Sequence, residues 1–218
     1  VLFRSTNGKI NGTNTVTTGI GADTITASSG TNSINAGDGV DTITLNGGEL
    51  AATGGSAVVN NNIHVTAETR ILSNNTTLAG TITGTAVIDK YTSSLLTITG
   101  NNSGFDGGFN AGNIVTGFGT IFVGSTNSLG SSSAVFTSTS AGRLTNAAGV
   151  TNSVLANDFV LGGTLTILEA TTDSMTFNGD ISGASGINLG TATSGHIGTV
   201  NFNGNNAGFT GTLSDRKS

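Results

Sequence analysis

Four consecutive nine-residue units near the start of the chain constrain its fold more than any other feature. In each unit glycine is the fourth residue, Asp or Asn the sixth, and a β-branched aliphatic residue the eighth; the units are 9–17, 18–26, 27–35 and 36–44. A period this short accommodates one short strand and one tight turn, and such units bury a continuous core only by stacking on one another. The sequence therefore predicts a solenoid of stacked strands over residues 9–50.

The composition favours an ordered all-β chain. The 218 residues include 35 glycines and no proline, and only 9% of them are charged. Apolar residues alternate with Thr in short runs such as 97–99 and 164–167, which is typical of half-buried strands. Because Gly and Asn interrupt these runs at short intervals, we expect strands and turns rather than helices.

Charge and cysteine content exclude several classes of protein. Seven basic residues are scattered among twelve acidic ones, for a net charge of −5, so no basic patch for nucleic acid or an anionic membrane is expected. The absence of cysteine excludes thiolate metal sites and disulfides and suits a chain that stays unfolded during export. No apolar run has transmembrane length and no signal peptide opens the chain. Residues 1–8 do not fit the repeat, and we interpret them as the ragged edge of a fragment.

The units 18–26 and 36–44 match the pattern x-G-x-G-x-D-x-U-x, where U is a large aliphatic residue. They resemble the haemolysin-type (RTX) calcium-binding repeat. This resemblance implies a parallel β-roll in which two units complete one turn, so that residues 18 apart stack. Asp23 and Asp41 have that spacing, and strands about 4.8 Å apart would bring their carboxylates together. We expect one calcium ion between them, with further ligands from the backbone carbonyls of the turns that contain Gly19, Gly21, Gly37 and Gly39.

Two other readings of this segment follow from its residues. Asn14 and Asn32 replace Asp on the opposite side of the roll, where we expect no metal and hydrogen bonding between stacked amides instead. For Asp23 and Asp41 the alternative to calcium is turn capping, in which each carboxylate accepts hydrogen bonds from the backbone amides of its own loop.

A longer repeat occupies the rest of the chain. Residues 80–84 correspond to 179–183 at an offset of 99, and residues 97–105 correspond to 201–209 at an offset of 104. A strand, Gly-Asn-Asn, an aromatic residue and a Gly-rich turn lead on to Gly-x-x-Asn-x-Leu-Gly at 124–130. This order resembles the autotransporter-associated β-strand repeat. The resemblance implies that residues 51–218 form a right-handed parallel β-helix continuous with the β-roll.

The paired motifs also lead to expectations for individual side chains. The asparagine pairs at 101–102 and 205–206 are predicted to form amide ladders at the corners of the helix. Phe105 and Phe209 are predicted to fill its interior or cap a turn.

The acids and histidines give little indication of catalysis. The carboxylates beyond the first repeats are spread singly through turns, whereas glycoside cleavage needs two of them on one face. His64 and His196 are expected at the surface, and Asp89 and Lys90 are expected to form a surface pair beside an exposed Tyr91.

We therefore expect a structural stalk or adhesin-like passenger segment without catalytic activity, and without a cofactor other than the calcium ion. The resemblance implies a location outside the cell or on the outer surface of a Gram-negative bacterium, attached to the membrane only through a translocator barrel that this chain lacks. We expect a monomer whose partners are a host or neighbouring cell surface or a glycan. The alternatives are a secreted carbohydrate-active β-helix enzyme and a module that binds ice or a glycan through a flat ladder of threonines.

Overall fold

A computed structural model describes residues 14–17, 20–28, 30–35, 41–50, 57–72, 75–111, 119–168, 172–190 and 198–215. These residues form an all-β parallel solenoid of about seven turns. Within the described ranges the longest helix is the 3-10 turn Asn206–Gly208, which is too short to cross a membrane. In chain order the strands are β1 (Asn14–Thr17), β2 (Thr24–Ala27), β3 (Thr31–Asn35), β4 (Thr42–Asn46), β5 (Glu49–Leu50), β6 (Ala57–Val59), β7 (Asn62–Ala67), β8 (Thr69–Ile71), β9 (Thr76–Leu78), β10 (Ile82–Gly84), β11 (Ile88–Lys90), β12 (Leu95–Ile98), β13 (Phe109–Ala111), β14 (Gly119–Val123), β15 (Val135–Ser138), β16 (Gly142–Asn146), β17 (Asn152–Leu155), β18 (Asp158–Leu161), β19 (Leu165–Leu168), β20 (Ser174–Phe177), β21 (Ile181–Gly183), β22 (Ile187–Leu189), β23 (Thr199–Phe202) and β24 (Leu213–Asp215).

The strands form four sheets in which every described pair is parallel. Sheet I has the order β1-β3-β5-β8-β11-β13-β15-β18-β21, and sheet II has the order β6-β9-β12-β14-β16-β19-β22-β24. Sheet III (β2-β4-β7-β10) and sheet IV (β17-β20-β23) occupy the third position in the turn. In the two turns between sheet III and sheet IV, the loops 99–108 and 124–134 take the place of a strand on this third face.

The number of described strands per turn changes along the chain. Before Leu50 the described strands alternate between sheets I and III, and from Ala57 onward sheet II adds another strand to each turn. In the first part Thr24 pairs with Thr42 and Thr31 with Glu49, which confirms that residues 18 apart stack. Sheets I and III continue without a break into the second part.

The interior is filled by alternate residues of each strand. Four phenylalanines form a continuous stack from Phe136 through Phe159 and Phe177 to Phe202, with centroid distances of 4.8, 4.9 and 5.3 Å. Phe136, Phe159 and Phe177 are buried and Phe202 is partly buried. Full burial of such a side chain contributes about 1.5–3 kcal/mol to stability, and the ring contacts add to it. The contacts run along sheet I from Phe136 to Phe159, cross to sheet IV at Phe177 and continue to Phe202, so this part of the core is continuous from turn to turn.

The repeat of about a hundred residues is present in the structure. Strands β9 to β13 correspond to β20 to β24, and the parallel bridge between Gly84 and Phe105 recurs between Gly183 and Phe209. However, β9 lies in sheet II and β20 in sheet IV, and each following strand is likewise displaced to the next face. One repeat of about a hundred residues therefore spans four complete turns of the solenoid and one further face of the next turn.

The prediction of an amide ladder at Asn101 and Asn102 is correct for Asn101 and wrong for Asn102. Asn101 Oδ1 does accept a hydrogen bond from Asn127 of the next turn, at 3.1 Å. Asn102 instead lies buried, where its Oδ1 accepts from the Ile82 amide at 2.7 Å and its Nδ2 donates to the Ser128 carbonyl at 2.8 Å. Its side chain therefore bonds to the backbone of the turns on both sides.

Glycine is required where the corners of adjacent turns touch. A Cβ atom added to Gly100 would lie under 3.0 Å from the carbonyl oxygen of Gly80, and one on Gly204 would meet Gly179 in the same way. Ile98 directly precedes the first of these corners and is fully buried. The glycine of each Gly-Asn-Asn motif therefore sets how closely one turn can lie on the next.

We predict that Gly100→Ala destabilises the chain by about 1–3 kcal/mol, because the added methyl group collides with backbone that cannot move aside. The matched control is Gly104→Ala, since a Cβ there would make only an ordinary 3.7 Å contact with Thr83. Guanidinium denaturation of both variants measures the difference. Equal stability of the two would contradict the close approach.

Candidate functional site

The structure places Asp23 and Asp41 on adjacent turns, each directly before a strand of sheet III. Asp41 is fully buried, and its two carboxylate oxygens accept hydrogen bonds from the Asp23 backbone amide and the Asn61 side chain, both at 2.8 Å. The Thr42 amide in turn donates to the Asp23 carbonyl at 2.9 Å. Asp41 therefore connects the turns on both sides of it, which is capping between turns rather than within its own loop.

The remaining parts of the predicted calcium site are only partly described. Asp23 Oδ2 is buried and has no hydrogen-bond partner among the described residues, so it is the atom of the pair that is free for a cation. Gly21 has a positive φ of 121°, while Gly19, Gly37 and Gly39 lie outside the described residues. Within the described ranges there is no group of three or more His, Cys, Asp or Glu placed to hold a metal. Calcium at this position stays a prediction.

The same type of cap occurs far from the nine-residue units. Asp158 Oδ1 accepts a hydrogen bond from the Asp180 amide at 2.8 Å, and Asp180 Oδ1 accepts one from the Asn205 amide at 2.7 Å. Carboxylates at or directly before the start of a strand therefore accept a hydrogen bond from the amide of a neighbouring turn in both parts of the solenoid. This arrangement needs no metal.

A row of polar side chains, which we call the polar ladder, crosses the first part of sheet I. Its members occupy paired positions on successive strands and are Thr31, Glu49, Arg70, Asp89 and Asn110. Thr31 donates to Glu49 at 2.6 Å, and Asn110 donates to Asp89 at 3.2 Å. Arg70 lies between the two carboxylates, 3.9 Å from Glu49 and 3.8 Å from Asp89. The alternation of charge stabilises the stacking of these turns.

The expectation of a surface pair at Asp89 and Lys90 is wrong, because both residues are fully buried. Asp89 contacts Arg70 and Asn110 of the neighbouring turns. Tyr91 is half-buried, since the guanidinium of Arg70 covers its ring at 4.7 Å from the centroid, a favourable cation–π contact.

Lys90 turns into the corner between sheets I and II. Its Nζ donates to the Thr92 carbonyl at 2.7 Å, to Thr92 Oγ1 at 2.9 Å and to Ser94 Oγ at 3.1 Å. Burial lowers the pKa of Lys90 to about 8, because desolvation of the ammonium outweighs the opposing effect of the Asp89 charge. The ammonium thus stabilises the corner with three hydrogen bonds, although its transfer out of water is unfavourable.

An open cleft of about 450 Å3 lies beside Glu49 and Arg70 of the polar ladder, and its lining residues are Gly30, Gly48, Glu49, Glu68 and Arg70. It brings two carboxylates and one guanidinium to the same place, which the spacing of these acids in the sequence did not indicate. Glu49 is already engaged there, since Thr31 and Arg70 occupy its two oxygens. Glu68 is the other carboxylate that lines the cleft.

His64 lies at the surface as predicted, with Nδ1 3.0 Å from Thr83 Oγ1. His196 lies outside the described residues.

Comparison of the chain with protein-family models, with curated proteins and with solved structures gave no match. The residues and their geometry therefore carry the functional argument.

We predict that the stability of the protein rises between pH 8 and pH 10.5 because of Lys90. In this range the unfolded chain, with an ordinary lysine pKa of 10.5, binds more protons than the folded chain with its pKa of about 8, so higher pH favours folding. The full effect is about 3 kcal/mol at 1.36 kcal/mol per pKa unit. Below pH 8 Lys90 is charged in both states and contributes no slope.

Denaturation at pH 7.5 and pH 10 measures this slope, and Lys90→Met is the matched variant because it keeps the apolar stem without the titrating group. The parent should gain stability relative to the variant on going to pH 10. An equal pH response in the two proteins would show that Lys90 is not desolvated.

Proposed function

We propose that this chain is a structural segment of a larger extracellular protein, in which the stacked turns act as a rigid spacer. The observation that carries the proposal is the uninterrupted parallel stack: sheet I runs through nine strands, and the phenylalanine stack follows the same axis. In such a solenoid each turn is stabilised by its neighbours, so that stiffness results from repetition.

The surface supports a structural role. Thr, Ser and Asn supply most outward positions of the strands, and the large exposed apolar residues among the described ones are scattered rather than grouped. The polar ladder pairs its charges internally, which leaves a net negative surface with the basic residues dispersed. Such a surface favours solubility and monomeric behaviour.

The resemblance to autotransporter passenger repeats supports a location outside a Gram-negative cell, at its outer surface or secreted. There the segment would hold other modules away from the membrane, and an adhesive contact with a glycan or with a host or neighbouring cell would extend this role. The absence of cysteine fits a chain exported before it folds.

The arrangement of the cleft favours this role over carbohydrate cleavage. A glycosidase needs one carboxylate free to act as acid and a second free to act as base or nucleophile. Glu49 is held by Thr31 and Arg70, so the cleft has a single unengaged carboxylate, Glu68, among its lining residues. We therefore propose no catalytic activity.

A flat threonine surface for ice or glycan is also disfavoured. Sheet III stacks threonines in two pairs, Thr24 with Thr42 and Thr26 with Thr44. The next turn replaces both columns, with Asn62 in one and His64 in the other. Two turns are too few to order an extended layer of water.

We further propose one calcium ion between Asp23 and Asp41, which would relieve the repulsion of two stacked carboxylates. Calcium uptake by Asp23→Ala should fall by one ion relative to the parent chain in an isothermal titration. Asp158→Ala is the control, because Asp158 makes the capping contact that Asp41 makes but lies outside the nine-residue units. Equal uptake by parent and Asp23→Ala would rule out the site.

We predict that antibodies against the 218-residue chain label intact, unpermeabilised cells that produce the protein, and that protease added outside removes the label. This outcome follows from display of the segment beyond the outer membrane. A periplasmic marker must remain unlabelled and intact in the same cells. Labelling that requires permeabilisation would contradict the proposed location.

A further inference from the structure

The cleft beside the polar ladder has a chemistry that the structural role does not use. It has a volume of about 450 Å3 and lies where corners lead from sheet III into sheet I. A volume of this size is within the range of about 300–1,000 Å3 that is usual for small-molecule sites. The groups that line it therefore indicate which class of small molecule it can bind.

Two glycines leave this part of the surface open. Gly30 and Gly48 lie on adjacent turns, where the Gly30 carbonyl accepts from the Glu49 amide at 2.8 Å and the Gly48 carbonyl accepts from the Arg70 amide at 2.9 Å. Both glycines have a positive φ, of 78° and 81°, which disfavours any residue with a side chain. Two successive corners therefore project no side chain, and the next corner carries Glu68.

Arg70 is held in a fixed position while its hydrogen-bond donors stay available. Its guanidinium lies 3.9 Å from Glu49, 3.8 Å from Asp89 and 4.7 Å from the ring centroid of Tyr91. Both ion-pair distances are longer than a hydrogen bond, which is about 2.7–3.2 Å between heavy atoms. These contacts orient the guanidinium in advance, so that a ligand would bind it at little cost in side-chain entropy.

Glu68 supplies a hydrogen-bond acceptor in the same cleft. Its side chain is exposed, and within the described part of the chain it has no hydrogen bond and no ion pair. The described ion pairs of Arg70 are with Glu49 and Asp89, not with Glu68. The cleft thus combines a group that only accepts hydrogen bonds with one that only donates them.

The charges around the cleft disfavour an ionic ligand. The three carboxylates of Glu49, Glu68 and Asp89 outnumber the single guanidinium and repel an anion. Glu49 is engaged by Thr31, and no group of three or more His, Cys, Asp or Glu among the described residues is placed to hold a metal. An organic ammonium would lie in the same cleft as the guanidinium of Arg70, which repels it.

A neutral ligand with adjacent hydroxyl groups is complementary to both side chains. A hydroxyl group donates one hydrogen bond and accepts others, so one hydroxyl can donate to Glu68 while its neighbour accepts from Arg70. Hydrogen bonds to charged groups are about twice as strong as those between neutral groups. We propose that the cleft binds a saccharide unit through two adjacent hydroxyl groups, with Glu68 as the acceptor and Arg70 as the donor.

This inference rests on the proposed function, because it gives the adhesive contact with a glycan a location on the segment. The cleft is open, no aromatic ring is among its described lining residues, and the ring of Tyr91 is already covered by Arg70. The affinity therefore depends on hydrogen bonds that stay in contact with water. We expect a Kd of about 1 mM for a single saccharide unit.

An NMR titration of the isotopically labelled chain with the methyl glycosides of glucose, galactose and mannose tests the proposal. These neutral probes differ in the relative orientation of their adjacent hydroxyl groups. At least one of them should bind with the expected Kd and shift the amide signals of residues 48–50 and 67–71. Absence of binding by all of the probes, or shifts that lie only outside these residues, would overturn the proposal.

Substitutions assign the two hydrogen-bonding groups. Glu68→Ala should weaken binding at least about tenfold, because a hydrogen bond to a charged group is lost, and the exposed side chain is not needed for folding. Asp173→Ala is the matched control, since it removes a carboxylate from the loop before β20, several turns away. Arg70→Lys should also weaken binding, because an ammonium lacks the planar fork of donors. Equal binding by the parent chain and Glu68→Ala would contradict the proposed contact.

Charged probes distinguish recognition of hydroxyl groups from ionic binding. Protonated glucosamine and glucuronate have the same ring as glucose but opposite charges. Binding of the neutral glycoside should be equal at low and high salt, because it forms no ion pair that salt could screen. Binding restricted to glucosamine and abolished by salt would identify a cation site and overturn the proposal. Failure of saccharide binding by the isolated chain leaves the extracellular role intact, which labelling of intact cells tests separately.

Discussion

The hydrogen bonds between the backbones of adjacent turns are the interaction on which the rest of the structure depends. Because each face pairs in parallel, the length of a turn decides which residue lies above which. The phenylalanine stack, the polar ladder and the contact of Asp41 with Asp23 all follow from these offsets. Insertion or deletion of one residue in the middle of a strand would turn its apolar side chains outward. The register shift in the pairing of β4 with β7 lies accordingly at the strand ends, where Asn46 pairs with Ala67 after Leu45 has paired with Val65.

Asp and Asn side chains at strand starts and in loops complete this backbone pairing at the corners. Asp41, Asp158 and Asn102 differ in charge and burial, yet each accepts an amide hydrogen bond from a neighbouring turn. Each such bond contributes about 0.5–3 kcal/mol, with the charged acceptors at the upper end. Asp and Asn therefore have a structural use at each of these three corners, whether or not Asp41 and Asp23 also bind calcium.

The parts of the structure that could be predicted from the sequence are those in which consecutive repeat units have the same length. The offset of 18 between Thr24 and Thr42 follows directly from the nine-residue period. The polar ladder could not be predicted, because Glu49 and Arg70 stack only after an added strand lengthens the turn to 21 residues. The burial of Lys90 was missed for a similar reason: its partners Thr92 and Ser94 lie in a corner whose course the alternation pattern does not specify.

The displacement of the repeat by one face has a geometric consequence for longer arrays. Each unit of about a hundred residues rises by roughly 21 Å, at about 4.8 Å per turn, and rotates its motifs by one third of the circumference. Three units would bring a given loop back to the same side after roughly 60 Å. Loops of identical sequence would thus wind around the rod as a spiral, so that neighbouring copies face different directions and large ligands bound to them would not collide.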